Sequence, residues 1–340
     1  MAKRVIFAVA GSGKTTLLID RLKVNSRTLI LTHTINNETH LRSKIINLFG
    51  FMPEGIRVMT WFEFLHGFCF RPFLQEHLAS RGLSFSQPPQ RIPRTNRLHY
   101  QDNSGRIYHR RLAQLLMARG MLPDICDRLE RYYDELLVDE VQDFAGNDFN
   151  FLLALCEAEI SVLFAGDFYQ HTYDTSRDGN VNSTLHDDIT RYEARFTAAG
   201  LVVDRETLSR TWRCSSTICE FITERLDIRI DAHDFRETSI DIVTDTERVA
   251  TLHSDDSVIK LFYSEHHRYG CYSLNWGASK GLDHFQDICI VMGATHWRLL
   301  NRSNLQTLPP SSRNKLYVAC SRARGNIYFV SEANFRNYKK

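Results

Sequence analysis

Val5-Ile6-Phe7-Ala8-Val9-Ala10-Gly11-Ser12-Gly13-Lys14-Thr15-Thr16-Leu17-Leu18-Ile19 is the stretch that decides the fold. An apolar run, a glycine-rich turn and a second apolar run read as strand, phosphate loop and helix. Ala8 to Thr15 matches the P-loop pattern, with Ala8 in the first glycine position. Glycines let the backbone N–H groups of Ala10, Gly11, Ser12 and Gly13 turn toward phosphate oxygens, and the following helix offers its positive end. Lys14 stands where it would neutralise β- and γ-phosphate charge, Thr15 where its hydroxyl would ligate Mg²⁺, and Thr16 completes the nucleotide-binding set.

Such a loop needs a carboxylate partner. Leu136-Leu137-Val138-Asp139-Glu140 supplies an apolar strand ending in two acids. Asp139, at the strand end, is the expected Mg²⁺ residue, and Glu140 is the expected base that polarises the attacking water. Further apolar runs at Thr28–Leu31, Arg57–Thr60 and Ser161–Ala165 read as strands of the same sheet, and Asp287–Val291 and Asn326–Val330 as strands of a second α/β unit beginning near Leu208. Strands alternating with helical stretches predict parallel sheets covered on both faces. The chain has 340 residues, a length that suits two domains of about 150 residues each.

Hydrophobic residues make up 43% and charged residues 24% of the chain, and its net charge is only +2. A polyanion site must therefore come from a local patch. The eight cysteines form no Cys-x-x-Cys pair, so they read as buried thiols of a reducing compartment. Met1-Ala2-Lys3-Arg4 lacks the apolar length of a signal peptide. No run approaches the roughly 20 apolar residues that span a bilayer. The expected location is the cytoplasm, with no membrane partner.

Val138-Asp139-Glu140-Val141-Gln142-Asp143 resembles the Asp-Glu-x-Gln-Asp motif of UvrD/Rep-type superfamily 1 DNA helicases, and the likeness recurs in order along the chain. Gly166-Asp167-Phe168-Tyr169-Gln170-His171-Thr172-Tyr173 is similar to that family's third motif, which gives Gln170 the γ-phosphate-sensing role. Leu208-Ser209-Arg210-Thr211-Trp212-Arg213 is similar to the motif opening the second motor domain, where a Tyr-Arg pair stacks on adenine and reaches γ-phosphate. Trp212 and Arg213 fill those positions here. Ser279-Lys280-Gly281-Leu282-Asp283 looks like the Ala-Lys-Gly-Leu-Glu motif, which places Gly281 and Asp283 at the nucleotide. Leu316-Tyr317-Val318-Ala319-Cys320-Ser321-Arg322-Ala323-Arg324 matches the sixth motif, with Arg322 as second arginine finger. The resemblance implies two RecA-like P-loop NTPase domains, residues 1–205 and 206–340, with a small insertion at about 71–131. It also implies ATP and Mg²⁺ as cofactors and single-stranded or tailed DNA as partner.

The chain departs from the family in three places. Only Met1–Phe7 precede Ala8, where the family carries a glutamine motif some twenty residues upstream. The large second-domain insertion has no room between Arg213 and Gly281. The family's DNA-stacking positions are altered: His33 replaces an aromatic, Thr175 a tryptophan, and Asn275-Trp276-Gly277 a Thr-x-His sequence. Trp61, Phe62, Tyr173 and Trp276 join His33 as candidate strand contacts. From Arg81 to Arg119 there are eight arginines, no lysine and one acid, Asp102, with Tyr100 and Tyr108 interleaved. Arginine among aromatics suits phosphate contact and base stacking, and equally suits an acidic protein partner or a plain solvated surface. Two functions follow. One is an ATP-driven single-strand DNA translocase or helicase. The other is an ATPase switch gating a partner such as a nuclease, a design suited to bacterial or phage conflict systems.

Overall fold

The computed structural model describes residues 2–172 and 178–340. Contacts divide the chain into two compact units. One comprises Met1–Phe7, Lys14–Gly166 and Tyr173–Asp204, the other Ala8–Gly13, Asp167–Thr172 and Arg205–Lys340.

The first unit is built on six parallel strands: β1 (Lys3–Phe7), β2 (Thr28–Thr32), β3 (Ile56–Thr60), β4 (Glu135–Val138), β5 (Ser161–Gly166) and β6 (Val202–Asp204), in the order β3-β2-β4-β5-β1-β6. Every residue of β2 is buried, as are Leu136–Val138 of β4. These continuous apolar runs are what a strand covered on both faces requires. The register pairs Phe7 with Gly166 and Val138 with Phe164. The carboxyl ends of β1, β4 and β5 therefore lie at one rim of the sheet, where ligands bind in open parallel sheets. Helix α1 (Lys14–Asp20) follows β1 after the loop, and α2 (Ile35–Phe49) follows β2. Thr34 caps α2 by accepting from the Asn37 N–H, and Gly50, with φ at +80°, ends it by donating to the Ile46 carbonyl.

The expected insertion is in part core. Its first half holds the short parallel pair Leu83–Ser84 and Ile107–Tyr108. Its second half is two helices, α3 (Leu112–Ala118) and α4 (Leu122–Tyr132), which bury Leu112, Leu115, Leu116, Ile125 and Leu129. A heptad-like apolar face of this kind must pack, so this stretch belongs to the body of the unit. Arg111, read in the sequence as part of a phosphate-binding run, is buried instead. It pairs with Asp178 and donates to the carbonyls of His99 (2.5 Å) and Pro89 (2.9 Å). Tyr100 and Tyr108 are buried too.

The second unit has five parallel strands, β7 (Ile240–Val243), β8 (Ile259–Phe262), β9 (Ser273–Asn275), β10 (Ile288–Met292) and β11 (Ile327–Ser331), in the order β7-β11-β10-β8-β9. Helices α5 (Ser216–Leu226) and α6 (Pro310–Cys320) contribute Ile218, Ile222 and Leu316 to a core with Ile288, Ile290 and Phe329. β7, β8 and β9 are short and carry polar neighbours, which hid them from the pattern of apolar runs. All eight cysteines are free, and seven are buried. No helix among the described residues is long and apolar enough to cross a membrane.

Candidate nucleotide site

The sheet rim of the first unit gathers Lys14, Thr15, Asp139 and Glu140. Lys14 opens α1 and is buried. The Thr15 hydroxyl lies 3.4 Å from Asp139 Oδ2, and Asp139 Oδ1 accepts the Glu140 N–H at 3.0 Å. Burial pushes the Asp139 carboxyl up to about 7. Glu140 adds to the rise, while Lys14, the Glu140 N–H and Thr15 oppose it. A carboxylate raised in this way, chiefly by burial, is stabilised in its charged form by a cation. A hydroxyl with one or two carboxylates is also the sparse donor set Mg²⁺ takes when phosphates and water complete its shell. Thr15 and Asp139 thus fit a Mg²⁺ ion.

Glu140 sits in the left-handed region, φ 56° and ψ 47°, which costs a non-glycine residue about 1–2 kcal/mol. Gln142 Nε2 donates to Glu140 Oε2 at 2.5 Å. Gly166, at the end of β5, makes room for this arrangement: a side chain there would collide with Gln142 Oε1 and Val141. Strain of this kind is held where the surroundings over-determine it.

In the second unit the loop residues Ala8–Gly13 run against the segment Leu208–Arg213. The Val9 N–H donates to the Leu208 carbonyl and the Trp212 N–H to the Gly11 carbonyl, both at 3.0 Å. Gly11 (φ +71°) and Gly13 (φ +93°) take conformations that L side chains rarely adopt. The Ser12 hydroxyl is buried without a hydrogen-bond partner, an orphan that a phosphate oxygen would satisfy. A Cβ at Gly11 would lie 2.7 Å from Arg213 Cβ and 2.8 Å from Thr211 Oγ1. Gly11→Ala should weaken nucleotide binding by roughly tenfold, about 1.4 kcal/mol. Titration with a fluorescent ATP analogue checks this, and unchanged affinity would remove the loop from the site.

Ala10, expected to offer its N–H to phosphate, donates it instead to Tyr317 Oη at 2.9 Å. Tyr317 passes the interaction on to Asp167 Oδ2 at 2.8 Å, and Gln170 Nε2 donates to the same oxygen at 2.8 Å. Neither Tyr317 nor Asp167 has a role readable from the sequence, although both lie in motif strings, because nothing in the spacing says that they meet. Tyr317 is completely buried, so removing its hydroxyl leaves the buried Ala10 N–H without an acceptor. Tyr317→Phe should lower unfolding free energy by about 1–3 kcal/mol, measured by urea titration.

Arg213 and Arg322 are both buried and both face Asp283. Arg213 pairs with Asp283 and donates to the Ser321 carbonyl at 3.2 Å. Arg322 lies 3.9 Å from Asp283 and donates to the Val318 and Leu282 carbonyls, each at 3.2 Å. Burial, then Arg213, brings the Arg322 guanidinium down to about 10, and Asp283 opposes the fall. It remains charged at neutral pH. Asp283 itself is largely exposed, and exposed Gly281 has φ +83°. Trp212 is 58% exposed and stacks on His233, with ring centroids 3.7 Å apart and planes 11° apart. The sequence pointed to Trp212 but not to His233, which lies outside every motif. Thr16 is exposed on the first turn of α1.

The aromatic strand contacts read from the sequence fare differently. Trp276 is 0% exposed, sits in the second core and donates its indole N–H to the Leu261 carbonyl at 2.9 Å. Trp61 is 3% exposed and packs against Phe64, Phe144 and Phe151. Neither offers a face to a base; large aromatics at strand ends bury more surface as core than as platform. His33 is half-buried. Tyr173 and Thr175 lie outside the described residues.

No protein-family profile and no curated protein matches the sequence. Among solved structures the chain is similar to arterivirus nonstructural protein 10, a helicase, in complex with DNA: TM-score 0.51, 14% identity, covering 96% of this chain and 60% of that one. Another structure of arterivirus nonstructural protein 10 gives a TM-score of 0.48 at 15% identity over 99% of this chain and 62% of that one. The PRRSV helicase gives 0.46 at 15% identity over 97% and 52%. The chain thus spans about 60% of the length of the first of these helicases. The fold is α/β, with a six-stranded and a five-stranded parallel sheet, and is similar to that of this arterivirus helicase.

Proposed function

We propose that the chain is an ATP-hydrolysing, Mg²⁺-dependent motor of the UvrD/Rep type, built from motor domains at 1–205 and 206–340, that moves on single-stranded DNA. The observation that carries this reading is the Lys14–Thr15–Asp139–Glu140 cluster at the rim of a parallel sheet, with Glu140 strained and braced by Gln142. In this reading Lys14 and the loop N–H groups bind the β- and γ-phosphates. Thr15 and Asp139 would hold Mg²⁺, which would supply neutralisation of phosphate charge. Glu140 takes the proton of the attacking water. Gln170 senses γ-phosphate, Arg213 and Arg322 stabilise charge on the transferring phosphoryl group, and Trp212 stacks on the base. Gly281 and Asp283 complete the nucleotide set. The DNA held by the arterivirus helicase supports a nucleic-acid partner.

A second reading, an ATPase switch that gates a protein partner such as a nuclease, draws support from the burial of Trp61 and Trp276. Fewer stacking platforms mean a weaker grip on a strand. The two are separated by measuring ATP turnover with and without single-stranded DNA, alongside strand displacement on a tailed duplex. DNA-stimulated turnover with displacement is expected. Turnover indifferent to DNA and responsive only to a protein would refute the motor and favour the switch.

A further inference from the structure

The first unit displays a run of aromatic rings away from every motif used above. His66 stacks on Phe62 with centroids 5.9 Å apart and planes 17° apart. Phe62 meets Phe85 at 5.9 Å, and Phe85 meets His109 at 4.8 Å. Two different segments build it. Phe62 directly follows the buried Trp61, and His66 lies four residues on, in a π-helical stretch, Phe64–Phe70, whose own buried residues are Phe64, Leu65, Phe68, Cys69 and Phe70. Phe85 and His109 come from the insertion, where Leu83–Ser84 pairs with Ile107–Tyr108 and the His109 ring meets the Ser84 carbonyl at 3.1 Å. The core thus anchors both segments while the rings point outward.

Phe85 is 68% exposed and Phe62 37%. A phenylalanine this open gains little from folding, and together with Phe62 it makes a contiguous exposed apolar patch. The setting is cationic. Burial, then Arg71, holds the His66 ring below its usual range, and burial does the same for His109, where the Ser84 carbonyl opposes the fall and Arg110 adds to it. Arg81, Arg91, Arg94, Arg97 and Arg106 of the insertion are all exposed. The single acid of that stretch, Asp102, is engaged by the N–H groups of Ser104 and Arg106, each at 2.9 Å.

Exposed phenylalanine faces, with Arg71 acting on His66 and Arg110 on His109, suit a single strand of nucleic acid: rings for bases and guanidinium groups for phosphates, while the neighbouring acid, Glu63, is engaged by the Thr60 N–H and hydroxyl. We propose that the Phe62–Phe85 ring run is a stacking platform for single-stranded nucleic acid, one that takes the place of the buried Trp61 and Trp276. The proposal rests on the nucleic-acid reading of the motor. An acidic protein surface would use the arginines but has no need of a row of flat, open rings.

The test is fluorescence anisotropy of a fluorescein-labelled oligothymidine with the full chain, in parallel with a labelled poly-glutamate peptide. Phe85→Ala should weaken oligonucleotide binding by about 5- to 150-fold, and Phe85→Tyr, which keeps the ring, should restore it. The melting temperature of Phe85→Ala should match that of the unaltered chain, since the side chain lies mostly in solvent. Equal oligonucleotide affinity in Phe85→Ala and the unaltered chain would overturn the platform while leaving the motor standing. An unaltered chain that does not bind the oligonucleotide would overturn both. Binding of the poly-glutamate peptide that depends on Phe85, with oligonucleotide binding that does not, would assign the surface to an acidic protein and also overturn the proposal.

Discussion

Glu140→Gln should lower ATP turnover by about 10²–10⁴-fold while leaving nucleotide affinity within a few-fold of the unaltered chain. The substitution keeps the size of the side chain and removes only its ability to accept a proton. Gln142 Nε2 can still donate to the side-chain oxygen at position 140, so the local geometry should hold. The left-handed backbone at this position is unchanged, and the folded state should be no less stable. Single-turnover hydrolysis and equilibrium binding of a fluorescent ATP analogue separate the two quantities. Full hydrolysis by Glu140→Gln would mean that another group activates water. Lost binding would mean that the residue holds the nucleotide rather than acting on it.

Arg322→Ala should reduce turnover by about 10³–10⁵-fold, the range measured for arginine fingers in phosphoryl transfer. The arginine has a second role in the fold. It is almost completely buried and donates to the Val318 and Leu282 carbonyls. The Val318 carbonyl keeps the Ser321 hydroxyl as a donor, but the Leu282 carbonyl loses the guanidinium, so the loss should cost about 1–3 kcal/mol of stability. Arg322→Lys keeps a charge but not the planar fork that reaches two carbonyls and a phosphoryl group together, so it should recover stability in part and turnover hardly at all. The readout is turnover at saturating ATP, with urea unfolding of the same samples. If turnover falls no further than the folded fraction does, Arg322 is a structural residue only.

Much of this was legible in the chain. Ala8–Thr15 could be read because a phosphate loop needs glycine, lysine and a hydroxyl at fixed spacing. Leu136–Glu140 could be read because a buried strand must be apolar up to the point where it delivers its acids. Both patterns are local, so chemistry and sequence neighbourhood coincide. The strands β2, β5, β10 and β11, five or six residues long and largely apolar, were visible for the same reason, and the shorter β4 was visible because its apolar residues lead straight into the two acids. The short strands β6 to β9 were not, since a strand of three or four residues with polar neighbours leaves too brief a pattern.

The aromatics are where sequence and structure part. Trp61, Phe62 and Trp276 are equivalent in a list of residues, and an exposed platform has the same letters as a core. Only packing separates them: Trp61 and Trp276 lie inside, while Phe62 stays at the surface. The same holds for the arginines, where Arg111 is an internal strut and Arg97 is open to solvent. It holds too for the hydrogen-bonded chain from Ala10 through Tyr317 to Asp167 and Gln170, whose members are far apart in sequence. The sequence by itself determined the parallel α/β class and named the residues of the proposed phosphate site, because both readings depend on residues close along the chain. Tertiary structure alone decided which rings and guanidinium groups face solvent and which buried donors meet, because burial is settled by what packs from elsewhere in the chain.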